Sequence, residues 1–433
     1  AYEMSPSLVG SEMCIRDRNI TIRKNRITAV STQIDVKTAK AALFPSLSFS
    51  TGHQVVNRPY QETSSRVSGS EIISSNSKTS YNGNYGLNAS WTLYNGNKRL
   101  KTIQQEKLNN QMAELDVATS ENNIQESIAQ VYIQILYAAE SVKVNENTLQ
   151  VSIAQRDRGQ ELLNAGSIAK SDLAQLEAQV STDRYQLVTA QATLEDYKLQ
   201  LKQLLELDGE NEINVYLPAL SDENVLLPLP TKKDVYISAL TLRPEIEASK
   251  LSVEASELGI DIAKAGYLPT ISLSAGIGTN HTSGSDFTFG EQVKNGWNNS
   301  IGVSVSVPIF NNRQTKSAVQ KAKLQRETSL LSLLDEQKTL YKTIEGLWLD
   351  ANSAQQRYAA ANEKLKSTQI SYDLISEQFN LGMKNTVELL TEKNNLLQAQ
   401  QEQLQAKYMA ILNTQLLKFY QGCLLYTSPS PRD

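Results

Sequence analysis

Between Asn97 and Leu163 the chain runs without a proline and with a single glycine, Gly159. At 1.5 Å per residue this predicts a helix about 100 Å long, far longer than any ordinary globular core can cover. Its apolar residues step by four and three, as Ile124, Ile128, Val131, Ile135, Ala138 and Val142. That spacing is a heptad seam, a narrow stripe that another helix must cover. The same seam returns 216 residues later as Leu340, Ile344, Leu347, Ala351, Ala354 and Tyr358. After a break at Asn164–Ala169, a return helix carries Leu173, Val180, Leu187, Leu194 and Leu201 at sevens, with Leu176, Ala190 and Leu204 as partners. Aromatic residues make up only 6% of the 433, which suits extended helices with thin stripes and not thick cores.

The chain is two copies of one design, and such repeats are read before anything else. Ala39-Lys40-Ala41-Ala42-Leu43-Phe44-Pro45-Ser46-Leu47-Ser48 recurs as Ala263-Lys264-Ala265-Gly266-Tyr267-Leu268-Pro269-Thr270-Ile271-Ser272, offset by 224. From Gly86/Gly302 through Asn95/Asn311, Asn164/Asn380, Gly166/Gly382 and Leu173/Leu389 the offset is 216. The length change therefore falls between the two strands of each copy, where loops absorb it. The reading divides the chain at 19–206 (strand pair 45–94, helical hairpin 97–206), an irregular waist at 207–243, and 244–422 (strand pair 269–310, helical hairpin 313–421). Residues 1–18 and 423–433 match neither the periodicity nor the composition of their neighbours and resemble translated adapter DNA, so they are set aside as non-native tails, the alternative being genuine disordered tails. Both cysteines, Cys14 and Cys423, lie in those tails, and the remainder offers no thiol, disulfide or Cys metal site.

Four segments alternate with period two: Leu47 and Phe49; Tyr85, Leu87, Ala89, Trp91 and Leu93; Ile271, Leu273, Ala275 and Ile277; Ile301, Val303, Val305, Val307 and Ile309. Period two means strands with one apolar face. The opposite face is Ser, Gly and other small residues, which suits a water-filled lumen, although a soluble sheet packed on an apolar surface shows the same alternation. The stretches 57–80 and 279–297, rich in Ser, Asn, Thr and Gly, read as exposed loops. No run of 18 apolar residues exists for a spanning helix, whereas spanning strands leave a much weaker trace. Four strands cannot close a barrel, and an open edge in lipid leaves backbone groups unsatisfied at several kcal/mol apiece. Membrane insertion would therefore force oligomerisation, and three protomers supply twelve strands.

Several function classes fall away at this stage. The net charge of −4 implies neither nucleic-acid binding nor basic anchoring to a membrane. The two histidines, His53 and His281, sit near strand ends with no metal-ligand spacing or nucleophile motif beside them, so no catalytic residue, metal or cofactor is expected. The serious alternative class is a periplasmic coiled-coil adaptor or structural protein. Such adaptors bear one helical hairpin, and this chain has two, each with a strand pair.

Together the residues resemble the TolC-like outer-membrane efflux factors over essentially all of 19–422. The resemblance rests on Leu-Phe-Pro-Ser-Leu and Tyr-Leu-Pro-Thr-Ile after Ala-rich helices, and on Trp91–Gly96 and Val307–Asn311 entering the long helices. It rests also on the doubled turns Leu163-Asn164-Ala165-Gly166 and Phe379-Asn380-Leu381-Gly382, each followed by an acidic residue and Leu. It implies a mainly α fold with a β portion, in which a homotrimer joins a twelve-stranded outer-membrane barrel to a periplasmic α-helical barrel. The implied role is a passive exit duct for tripartite efflux or type I secretion, in contact with outer-membrane lipid. A periplasmic adaptor protein and an inner-membrane pump of RND or ABC type are the implied partners. Ser171, Asp172, Phe379 and Lys384 match the positions that hold such a tunnel shut at its tip, Lys384 to Asp172 being the implied gating ion pair, or else a solvated charged turn. Lys stands where Arg is usual in some members and gives up bidentate geometry; Phe379 stands where Tyr often sits. Glu388 matches a lumen-facing constriction where three carboxylates would form a ring, or else is a surface glutamate; Thr391 takes the place of a second acid one turn on. Gly166 and Gly382 match the turns that meet the adaptor.

Overall fold

The computed structural model describes residues 2–3, 18–60, 64–68, 71–75, 78–207, 213–215, 225–283, 285 and 287–423. Most of both tails, and with them Cys14, lie outside the described residues, as do 208–212 and 216–224 of the waist. Contacts divide the chain into two units, one of residues 30–112 and 250–331, the other of 1–29, 113–249 and 332–433.

The first unit is organised by a sheet. After helix α1 (Ile20–Ala41), strand β1 (Ser46–Asn57) pairs antiparallel with β4 (Thr79–Asn95), and a small hairpin of β2 (Ser64–Ser68) and β3 (Glu71–Ser75) lies between them in sequence. In the second copy β5 (Thr270–Thr282) pairs with β6 (Asn298–Ser306), and the short helix α6 (Phe289–Asn295) joins them. The order is β1-β4-β5-β6, antiparallel throughout, which leaves one long side of β1 and one of β6 without a partner strand among the described residues. The expected loops are therefore more structured than composition suggests, since strands run further into both and each carries an element of its own. Two details depart from strict alternation. A bulge between Thr92 and Tyr94 removes Leu93 from the ladder and puts Tyr94 opposite Ile271. Strand β6 stops at Ser306, short of Val307 and Ile309, because Pro308 has no N–H to give the ladder.

The long helices repeat with the lengths the offset demands. Helix α2 (Lys98–Asn164) and α7 (Gln314–Asn380) are each 67 residues long, and α3 (Lys170–Leu204) and α8 (Thr386–Tyr420) each 35. The strand-to-helix junctions also repeat: Gly96 and Asn97 have φ of 69° and 62°, and their counterparts Asn312 and Arg313 have 50° and 64°. Two consecutive left-handed residues turn the chain out of each sheet. For Asn97, Asn312 and Arg313 this is a conformation that side chains resist.

In the second unit most of the long-helix seam is buried, whereas the return seam of α3 is buried at Leu176, Val180 and Leu201 and only half-buried at Leu173, Leu187 and Leu194. Ile128, Val131, Ile135 and Ala138 of α2 and Leu340, Ile344, Ala351, Ala354 and Tyr358 of α7 are all core residues. The largest core cluster gathers Leu340, Ile344 and Ala351 with Leu417 and Tyr420 of α8, Val235 and Ala239 of α4 (Lys232–Leu242), and Ile246 of α5 (Pro244–Lys264). The described end of the waist is tied along α7, where Trp348 Nε1 donates to Pro230 O at 3.0 Å and Gln355 donates to Val225 O and Leu227 O at 3.0 and 2.8 Å. Arg243, buried, lies over the Tyr420 ring at 3.7 Å. Among the described residues no helix is long and apolar enough to cross a membrane.

Candidate functional site

Two regions carry chemistry, the faces of the sheet and the ends of the helical hairpins. Residues directly opposite one another in neighbouring strands share a face, so the register sorts the sheet completely. One row reads Leu47, Ala89, Ala275, Ile301, the next Trp91, Leu273, Val303, and another Phe49, Leu87, Ile277, Asn299. Between them run Ser48, Asn88, Gly276, Ser300 and Ser46, Ser90, Ser274, Gly302. Over these rows one face is thus apolar but for Asn299 and the other small and polar, the first face turning polar beyond them at Thr51, Thr279, His53 and His281. Its apolar part is open in the chain, with Ile301 78%, Leu47 69%, Phe49 68% and Val303 65% exposed.

The hairpin tips are built alike. Helix α2 ends with Gly166 N–H donating to Leu163 O at 2.9 Å and Ser167 N–H to Leu162 O at 2.8 Å. Helix α7 ends with Gly382 N–H to Phe379 O at 2.9 Å and Met383 N–H to Gln378 O at 2.9 Å. This double closure needs a left-handed residue, and Gly166 (φ 76°) and Gly382 (φ 72°) supply it. Open space surrounds both, so the backbone angle and not crowding asks for glycine.

The implied gate residues fall into local roles within the chain. Asp172 accepts from the Ala169 N–H at 3.0 Å at the start of α3, a helix whose cap residue has no acceptor of its own. Lys384 does not reach Asp172; its Nζ donates to Glu388 at 2.6 Å. Glu388 also accepts from the Asn385 N–H at 3.2 Å while Asn385 Oδ1 accepts from the Glu388 N–H at 2.9 Å, a reciprocal cap on α8. The Lys384 hydrogen bond, followed by that backbone bond, holds the Glu388 carboxyl below its usual range. Phe379 is buried in the last turn of α7, and Ser171 is exposed.

The charges that do join the hairpins lie elsewhere. Lys393 of α8 donates to Asp183 of α3 and to Ser152 of α2, and Ser152 donates to Asp183. Gln179 donates to the other Asp183 oxygen at 2.9 Å. All three central residues are buried, at 2–3% exposure. Burial pushes the Lys393 ammonium below its ordinary range, and the bond to Asp183 works against that shift. Two weaker links flank the trio, Gln155 to Tyr372 at 2.9 Å and Gln179 to Asn394 at 3.4 Å. A signal for the trio was present in the sequence. Asp183 follows Val180 by three and precedes Leu187 by four, and Lys393 follows Leu389 by four and precedes Leu396 by three, so both charges occupy seam positions.

Comparison with known proteins now decides the family. A sequence profile of the outer membrane efflux protein family matches residues 15–206 and 235–422, once per copy of the repeat. The chain belongs to the outer membrane efflux protein family. Among its curated relatives are the outer membrane efflux protein BepC of Brucella suis, 25% identical over 67% of this chain and 61% of BepC, and the outer membrane protein TolC of Escherichia coli, 26% identical over 68% and 60%. The cation efflux system protein CusC of Escherichia coli is 25% identical over 79% of this chain and 73% of CusC. The chain thus aligns with about 60% of the length of BepC and TolC. Among solved structures, CusC superposes with a TM-score of 0.80 at 18% identity over 97% of this chain and 93% of that one, and the Campylobacter jejuni CmeC outer membrane channel with 0.77 at 17% over 99% and 90%. The efflux-protein fold, in two repeats, is therefore the fold of this chain, and the alternative of a one-hairpin adaptor is set aside.

Proposed function

We propose that three copies of this chain close a twelve-stranded β-barrel in the outer membrane and form a passive exit duct for efflux or type I secretion. The observation that carries this reading is the two-faced sheet with two unpartnered edges. Its Leu, Ile, Val and Trp face is the solvent-averse one, its Ser, Gly and Asn face suits water, and the free sides of β1 and β6 hold backbone donors and acceptors that lipid cannot satisfy. Pairing β6 of one copy with β1 of the next satisfies them, and an even number of strands results. The names of relatives fit a duct whose cargo is set by its partner: AprF is an alkaline protease secretion protein and CusC a cation efflux protein. A periplasmic adaptor and an inner-membrane pump of RND or ABC type are the partners that reading requires, and no catalytic step is assigned to the chain.

The tips fit the periplasmic entrance. Gly166 and Gly382 shape the turns an adaptor would grip, and Leu381 and Met383 beside Gly382 are 70% and 71% exposed, offering it apolar contact. Ser171, Asp172, Phe379 and Lys384 surround that entrance, and three Glu388 carboxylates would ring it, each already countered by its own Lys384. Such a ring favours cations only weakly. The test is purification in detergent followed by mass measurement and planar-bilayer recording. A trimer with stepwise ion conductance is expected; a water-soluble monomer without conductance would overturn the proposal.

A further inference from the structure

The buried charges have a position along the hairpins as well as a chemistry. Ser152 stands twelve residues before the end of α2, Asp183 thirteen after the start of α3, and Lys393 seven after the start of α8. At the helical rise these lie about 10–20 Å behind the turns. With Gln155, Gln179, Tyr372 and Asn394 they form one polar layer to which all four helices contribute. Nearer the turns the bonding changes character. Arg158 pairs with Glu161 at 2.7 Å, Asp172 with the Ala169 N–H, and Lys384 with Glu388, each on its own hairpin. Among the described residues, the side-chain hydrogen bonds and ion pairs of 156–171 and 373–391 stay within one hairpin.

We propose that the Lys393–Asp183–Ser152 network is a fixed clasp between the two hairpins, behind which they stay paired and in front of which their tips are free to part. Two physical facts support it. Separating or sliding the hairpins at this level before water can enter would leave an ammonium and a carboxylate unpaired in a site where each is almost wholly buried, which is far more costly than breaking an exposed pair. At the tips, the polar pairs are local and open to water, and among the described residues none of them bridges the two hairpins. Placing charge at seam positions also selects one alignment of the helices over its slipped neighbours. The assignment goes beyond the duct reading and does not require it, since it concerns how the hairpins hold each other.

The face of α8 that carries Lys393 provides the test. Leu389 lies four residues before it and Leu404 eleven after, so all three share one face. Leu404 packs against Ile133 and Leu136 of α2, across the two hairpins. Leu389 is 0% exposed and Leu404 8%, so static accessibility ranks Leu404 as the more reactive site. In the full chain with Cys14 and Cys423 replaced by serine, single Leu389→Cys and Leu404→Cys variants are purified in detergent and their modification by a maleimide is timed. The clasp reverses the static order, with Leu389→Cys reacting at least tenfold faster. Adding Lys393→Met, or the milder Asp183→Asn, should raise the Leu404→Cys rate tenfold or more while leaving Leu389→Cys little changed. Equal rates in the two parents, or a faster Leu404→Cys, overturn the clasp, as does a Leu404→Cys rate indifferent to both clasp variants. The parent comparison decides even where a clasp variant fails to assemble, and none of these rates depends on transport.

Discussion

Ala275 and Ser274 are neighbours near the middle of β5, both exposed in the chain, and they point to opposite faces of the sheet. Ala275 lies in the row Leu47, Ala89, Ala275, Ile301, and Ser274 in the row Ser46, Ser90, Ser274, Gly302. In a barrel with the apolar face outward, Ala275→Arg puts a guanidinium into hydrocarbon close to mid-strand. An arginine near the midplane of a membrane barrel costs about 2–4 kcal/mol, and one in a water-filled lumen escapes that penalty. In the proposed trimer three copies would raise the cost to about 6–12 kcal/mol, while even the lower figure for one chain is about thirtyfold in the folded-to-unfolded ratio. The assay is refolding from urea into phospholipid vesicles, scored by heat-modifiable mobility of the trimer. Ala275→Arg should shift the urea midpoint far below the parent. Ser274→Arg should fold like the parent but change single-channel conductance. If Ser274→Arg were the more damaging of the two, the apolar face would be packed against protein, and the membrane reading of the sheet would fail.

Three further outcomes follow from the helices. Ile344, 1% exposed in the largest core cluster, should cost about 2–5 kcal/mol when cut to alanine, whereas Leu331→Ala, at a 62% exposed position, should cost well under 1 kcal/mol in chemical denaturation unless a second copy covers it. Gly382→Ala should destabilise the second tip by about 1–2 kcal/mol through its positive φ alone, read as faster proteolysis confined to that turn. For Glu388 the folded carboxyl titrates below its unfolded value of 4.5, so its contribution to the α8 cap is present above that pH and is lost as pH falls through the lower folded value. Hydrogen exchange at the start of α8, corrected for intrinsic pH dependence, should rise in acid, and Glu388→Gln should remove the dependence.

Much of the architecture is encoded in spacing. The 216-residue offset reappears as helices of 67 and 35 residues in each copy and as matching left-handed pairs at Gly96–Asn97 and Asn312–Arg313, because a repeated one-dimensional pattern imposes the same local geometry wherever it occurs. The alternation in Ile271–Ile277 sorted the faces of β5 correctly, since a period of two leaves no choice. It failed at Leu93 and beyond Ser306, where a bulge and Pro308 break the ladder by backbone means that side-chain polarity does not record. The helix α6 and the β2–β3 hairpin were hidden for a related reason: Ser, Asn and Thr favour turns on average, and Thr288 with Glu291 nonetheless caps a short helix.

The functional residues divide differently. Heptads, turns and strand faces follow from intervals along the chain, so the hairpins, their glycine tips and the two-faced sheet belong to the sequence. Which charge meets which does not, because it depends on residues 210 and 241 apart in sequence. Lys384 has Glu388 one turn away and takes it in preference to Asp172 on the other hairpin, while Lys393, with a carboxylate and a hydroxyl presented by α3 and α2, turns inward and is buried. A long flexible ammonium goes to the partner that packing brings within reach, and only the folded pair of hairpins sets that distance.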